Sequence, residues 1–275
     1  MEDEHLLGNR VVEDAELFHA SLNADRKTTL VLLHGILGRH TEFAHVSPHL
    51  PDYHLLLPDM PAHSRSSHIS EIAIPSQADR IATLVKNHAH NSKAHIVGVS
   101  MGGFVATNLA LRHPELVESV FVTGAAPFRG AGKWMAEHPS VIWVMASIML
   151  RWIPDWLFRK LSALQGMKQG NTDLIVEMRA NLRWETLSGA FTSMLGFKLD
   201  DAEKLQVRTL AIAAGRGDDI VATKNMGKRL SVEGSGAVVV RRAIHTWHLQ
   251  LPDLFSEGVL AWIQSRPLPA SFEEL

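Results

Sequence analysis

Two rhythms of apolar and polar positions alternate along this chain. Short, almost continuous apolar runs rich in Val, Ile and Leu occur at Glu16–Ser21, Thr29–His34, His54–Pro58, His95–Val99, Ser119–Thr123, Thr209–Ala214 and Ala237–Ile244. Between them lie stretches with helical spacing, at Ser76–His88, Gly102–His113, Thr223–Leu230 and Leu254–Ser265. In the first helix Ile81, Leu84, Val85 and His88 fall on one face, and Ser76 after Pro75 is placed to cap it. Strands that are apolar on both faces and interleaved with helices predict a mostly parallel, doubly wound sheet covered on both sides.

From Pro127 to Asp200 the alternation stops, and the segment reads as helices without β-runs. This divides the chain into an α/β core formed by residues 1–126 and 201–275 and a helical cap, 127–200, inserted between two late strands. Five of the seven tryptophans lie in the cap, with six of the ten methionines. Any one of them is expected to pack the cap onto the core. Together they suggest an apolar, adaptable pocket, to which we assign Trp134, Trp143, Met145, Met149 and Trp184, with Trp247 from outside the segment. Arg151, Arg159, Lys160 and Lys168 interrupt the cap without a clear polar face, and the longest apolar run, Val141 to Leu150, is shorter than a bilayer span. Stable membrane insertion is not expected.

At 275 residues and 46% hydrophobic, the chain can bury a large single core. A net charge of −2 gives no steering toward nucleic acid. The absence of cysteine excludes disulfides, thiolate chemistry and Cys-based metal sites, and it fits a reducing compartment. Met1-Glu2-Asp3-Glu4-His5 is acidic, with neither the basic nor the apolar region of a secretory signal, so a cytoplasmic location is expected. Nothing in the sequence fixes an oligomeric state.

The chemistry concentrates at Gly98-Val99-Ser100-Met101-Gly102-Gly103, between a strand and a helix. A serine in a G-x-S-x-G frame at such a junction sits on a turn too sharp for side chains two residues either way. A neutral hydroxyl is a poor nucleophile and needs a base, which in turn needs an orienting acid. Later strands supply both, as Gly215-Arg216-Gly217-Asp218-Asp219 and His245-Thr246-Trp247-His248. Asp219 and His248 compete with Asp218 and His245 for those roles. His34 and His63 read as structural, and the sixteen histidines show no metal-ligand spacing.

These motifs resemble α/β-hydrolase-fold serine hydrolases with a helical cap, over roughly Thr28 to Ile263. His34-Gly35-Ile36-Leu37-Gly38 resembles the family's H-G-x-x-G segment. Asp59-Met60-Pro61-Ala62-His63-Ser64-Arg65-Ser66 resembles its D-x-P-G-H-G-x-S segment, with Ala62 and Ser64 at the two usual glycines. The family's G-x-x-D pattern selects Asp218. Its histidine seven residues before a proline selects His245 with Pro252, although Ile244 replaces the usual glycine. The resemblance implies a triad of Ser100, Asp218 and His245, an oxyanion hole from the N–H groups of Ile36 and Met101, and no cofactor or metal. The expected function is hydrolysis of a small apolar carboxylic ester, lactone or thioester. C–C bond hydrolysis, acyl transfer and a small-molecule receptor with a retained fold stand as alternatives.

Overall fold

The computed structural model describes residues 16–167 and 174–275. Lys168 and the acidic residues Met1–His5 lie outside this range. One eight-stranded sheet runs in the order β1-β3-β2-β4-β5-β6-β7-β8. β2 (Thr29–Leu33), β3 (His54–Pro58), β4 (Ala94–Val99), β5 (Val117–Thr123), β6 (Thr209–Arg216) and β7 (Gly236–Ile244) are parallel. The edge strands β1 (His19–Leu22) and β8 (Glu273–Glu274) are antiparallel to their neighbours. The mostly parallel sheet is the one the apolar runs predict; β8, two residues long and exposed, carries no apolar signal.

Strand alternation explains the two cores. In β2, Val31 and Leu33 point to the side covered by α1 (Ile74–His88) and α2 (Met101–Arg112), while Leu30 and Leu32 point to the other. There they meet Trp247 of α9 (Trp247–Gln250) and Phe255, Val259 and Trp262 of α10 (Pro252–Ile263). Helix α1 starts three residues earlier than a cap at Ser76 would set it. Pro75 occupies the first turn, and the Ile74 N–H donates to Ser193 Oγ at 2.8 Å, so no side chain of α1 caps it. Helix α8 (Ile220–Gly227) follows β6.

Between β5 and β6 the described chain forms α3 (Gly130–Glu137), α4 (Pro139–Ser147), a π-helical turn at Ile148–Trp152, α5 (Asp155–Leu164), α6 (Leu174–Asn181) and α7 (Trp184–Met194). A third apolar cluster joins this segment to the turn after β2: Leu37 packs with Leu150, Ile175, Leu182 and Leu187, and Ile36 lies against them. Thus the helical segment touches the sheet at the carboxyl ends of the strands, where α/β folds gather their chemistry.

The closeness of α2 to β2 depends on Gly102. A Cβ there would lie 2.2 Å from the Leu33 carbonyl oxygen, which is backbone and cannot rotate away. Gly102→Ala should therefore destabilise the protein by about 2–3 kcal/mol. In contrast, a Cβ on Gly132 in α3 would meet nothing nearer than Phe128 at 3.8 Å, so Gly132→Ala should stabilise by up to about 1 kcal/mol. Urea unfolding of the two variants checks this pair; equal effects would contradict the packing described.

Candidate active site

Ser100 ends β4 and opens α2 with φ 53° and ψ −120°, a backbone region that a non-glycine residue enters only when its surroundings force it. Its N–H donates to the Thr123 carbonyl of β5 at 2.9 Å. Its carbonyl accepts from the N–H groups of Gly103 at 2.9 Å and Phe104 at 3.2 Å. The Met101 N–H, first of α2, is one of the four that a helix leaves without an internal acceptor.

The two candidate acids separate cleanly. β6 bulges between Ala214 and Arg216, and Gly217 with φ 116° turns the chain. This carries Asp218 inward: its Oδ1 accepts from His245 Nδ1 at 2.5 Å and its Oδ2 from the Ala214 N–H at 2.8 Å. Asp219 points the other way, caps α8 through the Ala222 N–H at 2.9 Å and pairs with Arg129 at 3.2 Å. Asp218 holds the Nδ1 proton, which leaves His245 Nε2 as the acceptor. Burial pulls the His245 pKa down. The hydrogen bond and charge of Asp218, aided by the charge of Glu42, outweigh it and hold the group above the ordinary histidine value.

His245 reaches the strand that supports Ser100. A Cβ on Gly124 would lie 2.6 Å from His245 Cε1 and 3.3 Å from Asp218 Oδ2. Gly124 follows Thr123, the residue that accepts from Ser100. The structure therefore brings Ser100, His245 and Asp218 to adjoining strand ends.

The loops after β2 and β3 are clamped together by two buried histidines. Met60 N–H donates to His34 Nε2 at 2.9 Å, and Leu37 N–H donates to His63 Nε2 at 3.1 Å. Each ring therefore carries its proton on Nδ1, donated to the Gly35 carbonyl at 2.7 Å and the Pro61 carbonyl at 2.8 Å respectively. Burial depresses both pKa values, that of His63 to about 3, so both rings are neutral. Ala62 (φ 63°) and Ser64 (φ 44°) hold left-handed angles, so the loop keeps a glycine-type path without glycine there. In the 35–38 loop, Gly35 N–H donates to Glu42 Oε2, Leu37 N–H to His63 and Gly38 N–H to the Gly35 carbonyl. Ile36 N–H makes no hydrogen bond among the described residues.

Sequence reasoning missed two residues of this scaffold. Asn181, buried at the end of α6, donates to the carbonyls of Leu37 at 3.1 Å and Gly38 at 2.9 Å, and accepts from Ser64 N–H at 2.8 Å. Glu42 accepts from His248 Nε2 at 2.7 Å beneath the same loop. Asn181 carries no one-dimensional signal. Glu42 does: an acidic residue flanked by apolar and buried positions in an α/β core is unusual unless paired.

Of the residues assigned to the pocket, Trp143 joins the apolar cluster that contacts Ile36 and Leu37, and meets Trp184 edge to face at 5.9 Å. Trp134, Met145, Met149 and Trp184 are exposed. Trp247 is a correction: it is fully buried in the sheet core against Phe255 and Phe272, and its Nε1–H donates to Thr123 Oγ1 at 2.8 Å. An indole two residues after His245 turns under the sheet because α9 begins there, so it braces the site from below. No group of three His, Asp or Glu side chains among the described residues is arranged to hold a metal. Among them, too, no single helix is long and apolar enough to cross a membrane.

Comparison with known proteins identifies the family of the fold. The family described as alpha/beta hydrolase fold matches residues 28–213. The chain belongs to that family and is a hydrolase of this fold. It is 29% identical to an AB hydrolase superfamily protein of Gibberella zeae, over 96% of this chain and 90% of that one. It is 30% identical to Lipase 3 of a Moraxella species, over 38% of this chain and 33% of the lipase. The crystal structure of a membrane phospholipase A, a bacterial virulence factor, superposes with a TM-score of 0.70 at 19% identity, covering 91% of this chain and 84% of that one.

The depressed pKa of His63 makes stability depend on pH. The unfolded ring takes a proton below about 6.5, whereas the folded ring resists until about 3. Its contribution is complete above 6.5 and drains away as pH falls toward 3, with a limiting cost on the order of 4–5 kcal/mol. His63→Gln removes this titration. The stability gap between parent and variant in urea unfolding should narrow steadily from pH 7 to pH 4; a constant gap would show that His63 does not stay neutral.

Proposed function

We propose that the protein is a cofactor-independent serine hydrolase of apolar carboxylic esters, lactones or thioesters, acting through an acyl-enzyme on Ser100. The observation that carries this reading is the His245–Asp218 pair set against the strand end that holds Ser100 in its strained turn. His245 Nε2 takes the Ser100 hydroxyl proton as Oγ attacks the substrate carbonyl carbon. The carbonyl oxygen becomes an anion between the N–H groups of Ile36 and Met101. Collapse of the tetrahedral intermediate expels the alkoxide or thiolate, which receives the proton from His245. Water then gives a proton to His245 and attacks the acyl carbon; collapse of this second intermediate breaks the bond to Ser100 Oγ, which takes the proton back from His245 as the acid leaves.

The apolar substrate class is supported by the cluster beside the oxyanion loop. Ile142, Trp143, Ala146 and Leu150 pack beside Ile36 and Leu37, so an acyl chain leaving the oxyanion site would meet aliphatic and aromatic surface. The names of two relatives, a lipase and a phospholipase, point to the same bond class.

Ser100→Ala should abolish labelling by a fluorophosphonate and reduce ester turnover by several orders of magnitude, with an unchanged thermal midpoint. Asp218→Asn should lower kcat about 10³–10⁴-fold by favouring the wrong imidazole tautomer. Asp219→Asn keeps the capping oxygen of α8 and should stay near the parent. Full turnover by the Ser100 variant would end the serine reading, and the reverse order of the two aspartates would relocate the acid.

Since only neutral His245 can act as base, kcat/KM should rise with pH through an inflection above 6.5. Along a series of straight-chain acyl esters it should climb several-fold per carbon, reflecting about 0.8 kcal/mol per buried methylene, until the pocket is full. An optimum at acetate would refute the apolar acyl pocket.

A further inference from the structure

Beneath the oxyanion loop lies a second carboxylate–imidazole pair that the hydrolytic steps do not use. Glu42 stands in a short 3-10 helix, His40–Phe43, and is 7% exposed; His248, on α9, is fully buried. Glu42 Oε1 meets His248 Nε2 at 2.7 Å, and Oε2 accepts from the Gly35 N–H at 3.3 Å. The rings of Phe43 and Phe255 flank the His248 imidazole, whose Nδ1 has no partner among the described residues.

This is an expensive arrangement. Taking a carboxylate out of water costs several kcal/mol, and a buried ion pair seldom stabilises a fold more than apolar side chains of the same volume. Its position offers a reason for it. A Cβ on Gly35 would lie 3.5 Å from Ser100 Cβ and 3.8 Å from Glu42 Oε1, so Ser100 and the carboxylate flank one glycine. A Cβ on Gly38 would collide with Glu42 Oε2 at 2.1 Å, so the loop is moulded around the carboxylate from both ends. Ile36, whose N–H is the free amide of the loop, lies between these two glycines.

We propose that Glu42, held in place by His248, is a positioning residue of the hydrolytic centre: it fixes the Gly35 amide, and with it the loop that carries the Ile36 N–H, and sets a second negative charge across Gly35 from Ser100. The inference rests on the serine hydrolase reading for its kinetic consequence, but not for its structural one. The groups that face Glu42 are His248 from α9, His34 from the end of β2 and the Gly35 amide. Burial works against its ionised form, and the His248 charge and hydrogen bond overcome it. The groups whose charge favours protonation of His245 are Asp218 from the turn after β6 and Glu42. Loss of the Glu42 charge therefore makes the imidazolium that forms during catalysis less stable.

Two readings of Glu42→Gln test this. With a soluble butyrate ester, kcat should fall about 10- to 100-fold with KM nearly unchanged, as expected for a displaced transition-state contact. The inflection of kcat/KM should also move to lower pH. The second reading needs no turnover: an NMR titration of the His245 imidazole should show a lower pKa in Glu42→Gln than in the parent. A protein without esterase activity would thus overturn the serine hydrolase reading and still leave the placement of Glu42 decidable. Glu42→Asp keeps the charge and withdraws it from Gly35, so it should retain the His245 titration and lose kcat. It also serves if the glutamine variant does not fold. Parent-like kcat in Glu42→Asp, or an unmoved His245 titration in a folded Glu42→Gln, would overturn the proposal.

Discussion

The geometry of the site depends on one strained residue. Ser100 adopts φ 53° and ψ −120°, at a cost of about 1–3 kcal/mol for such a conformation. Neighbours on both sides over-determine it: β5 takes its N–H, and α2 returns two N–H groups to its carbonyl. Glycine at 98 and 102 lets strand and helix approach until a Cβ at either position would overlap backbone. Relaxing the serine would therefore require moving α2 away from β2 and β4. Core packing elsewhere stabilises the protein, and part of that stability is held as strain at this turn.

Polar constraints do the same for the loops. His34 and His63 are buried neutral rings, and each accepts one amide and donates to one carbonyl. A protonated ring could not accept, so neutrality is a structural requirement as much as a result of burial. Glu42 and Asp59 supply the opposite element, buried carboxylates that collect donors. Asp59 gathers the His40 N–H and ring and the Arg65 N–H, and these bonds hold it ionised despite burial. With Leu37 itself at φ 65°, the 35–38 loop owes its shape to these anchors.

The parallel strands and the G-x-S-x-G turn were legible because each rests on local chemistry: apolar runs for strands, and glycines where a Cβ will not fit. Residue type alone left Asp218 and Asp219 competing; the resemblance to the G-x-x-D pattern chose Asp218, and the physical reason lies in the backbone. A β-bulge and a positive φ at Gly217 decide which of two adjacent carboxylates turns inward, and the other becomes a helix cap. Trp247 was misplaced for a related reason, since proximity in sequence to His245 does not survive the turn into α9. Ala62 and Ser64 illustrate the reverse case. Both stand where the family has glycine, and the surrounding bonds impose left-handed angles on the residues present. Asn181 could not be foreseen, because its partners lie more than a hundred positions away.

The helical segment between β5 and β6 is wired into the site as well as packed against it. Glu177 of α6 pairs with Arg39 at 2.7 Å, and Asn181 satisfies two carbonyls of the 35–38 loop and one amide of the next loop. Arg179, on the same helix, bonds the carbonyls of Leu150 and Ile153 and the carboxylate of Asp155, tying the π-helical turn and α5 to α6. Withdrawing α6 would strand the buried partners of Asn181, each at a cost of about 1–3 kcal/mol. The outer faces of the π-helical turn and α5 make no such demand: Trp152 and Leu164 are 79% and 75% exposed. Replacing the whole segment would thus disturb the 35–38 loop along with any pocket wall. The two roles separate only at single inward side chains, such as Trp143 and Leu150, which touch the apolar cluster and leave the polar ties of α6 intact.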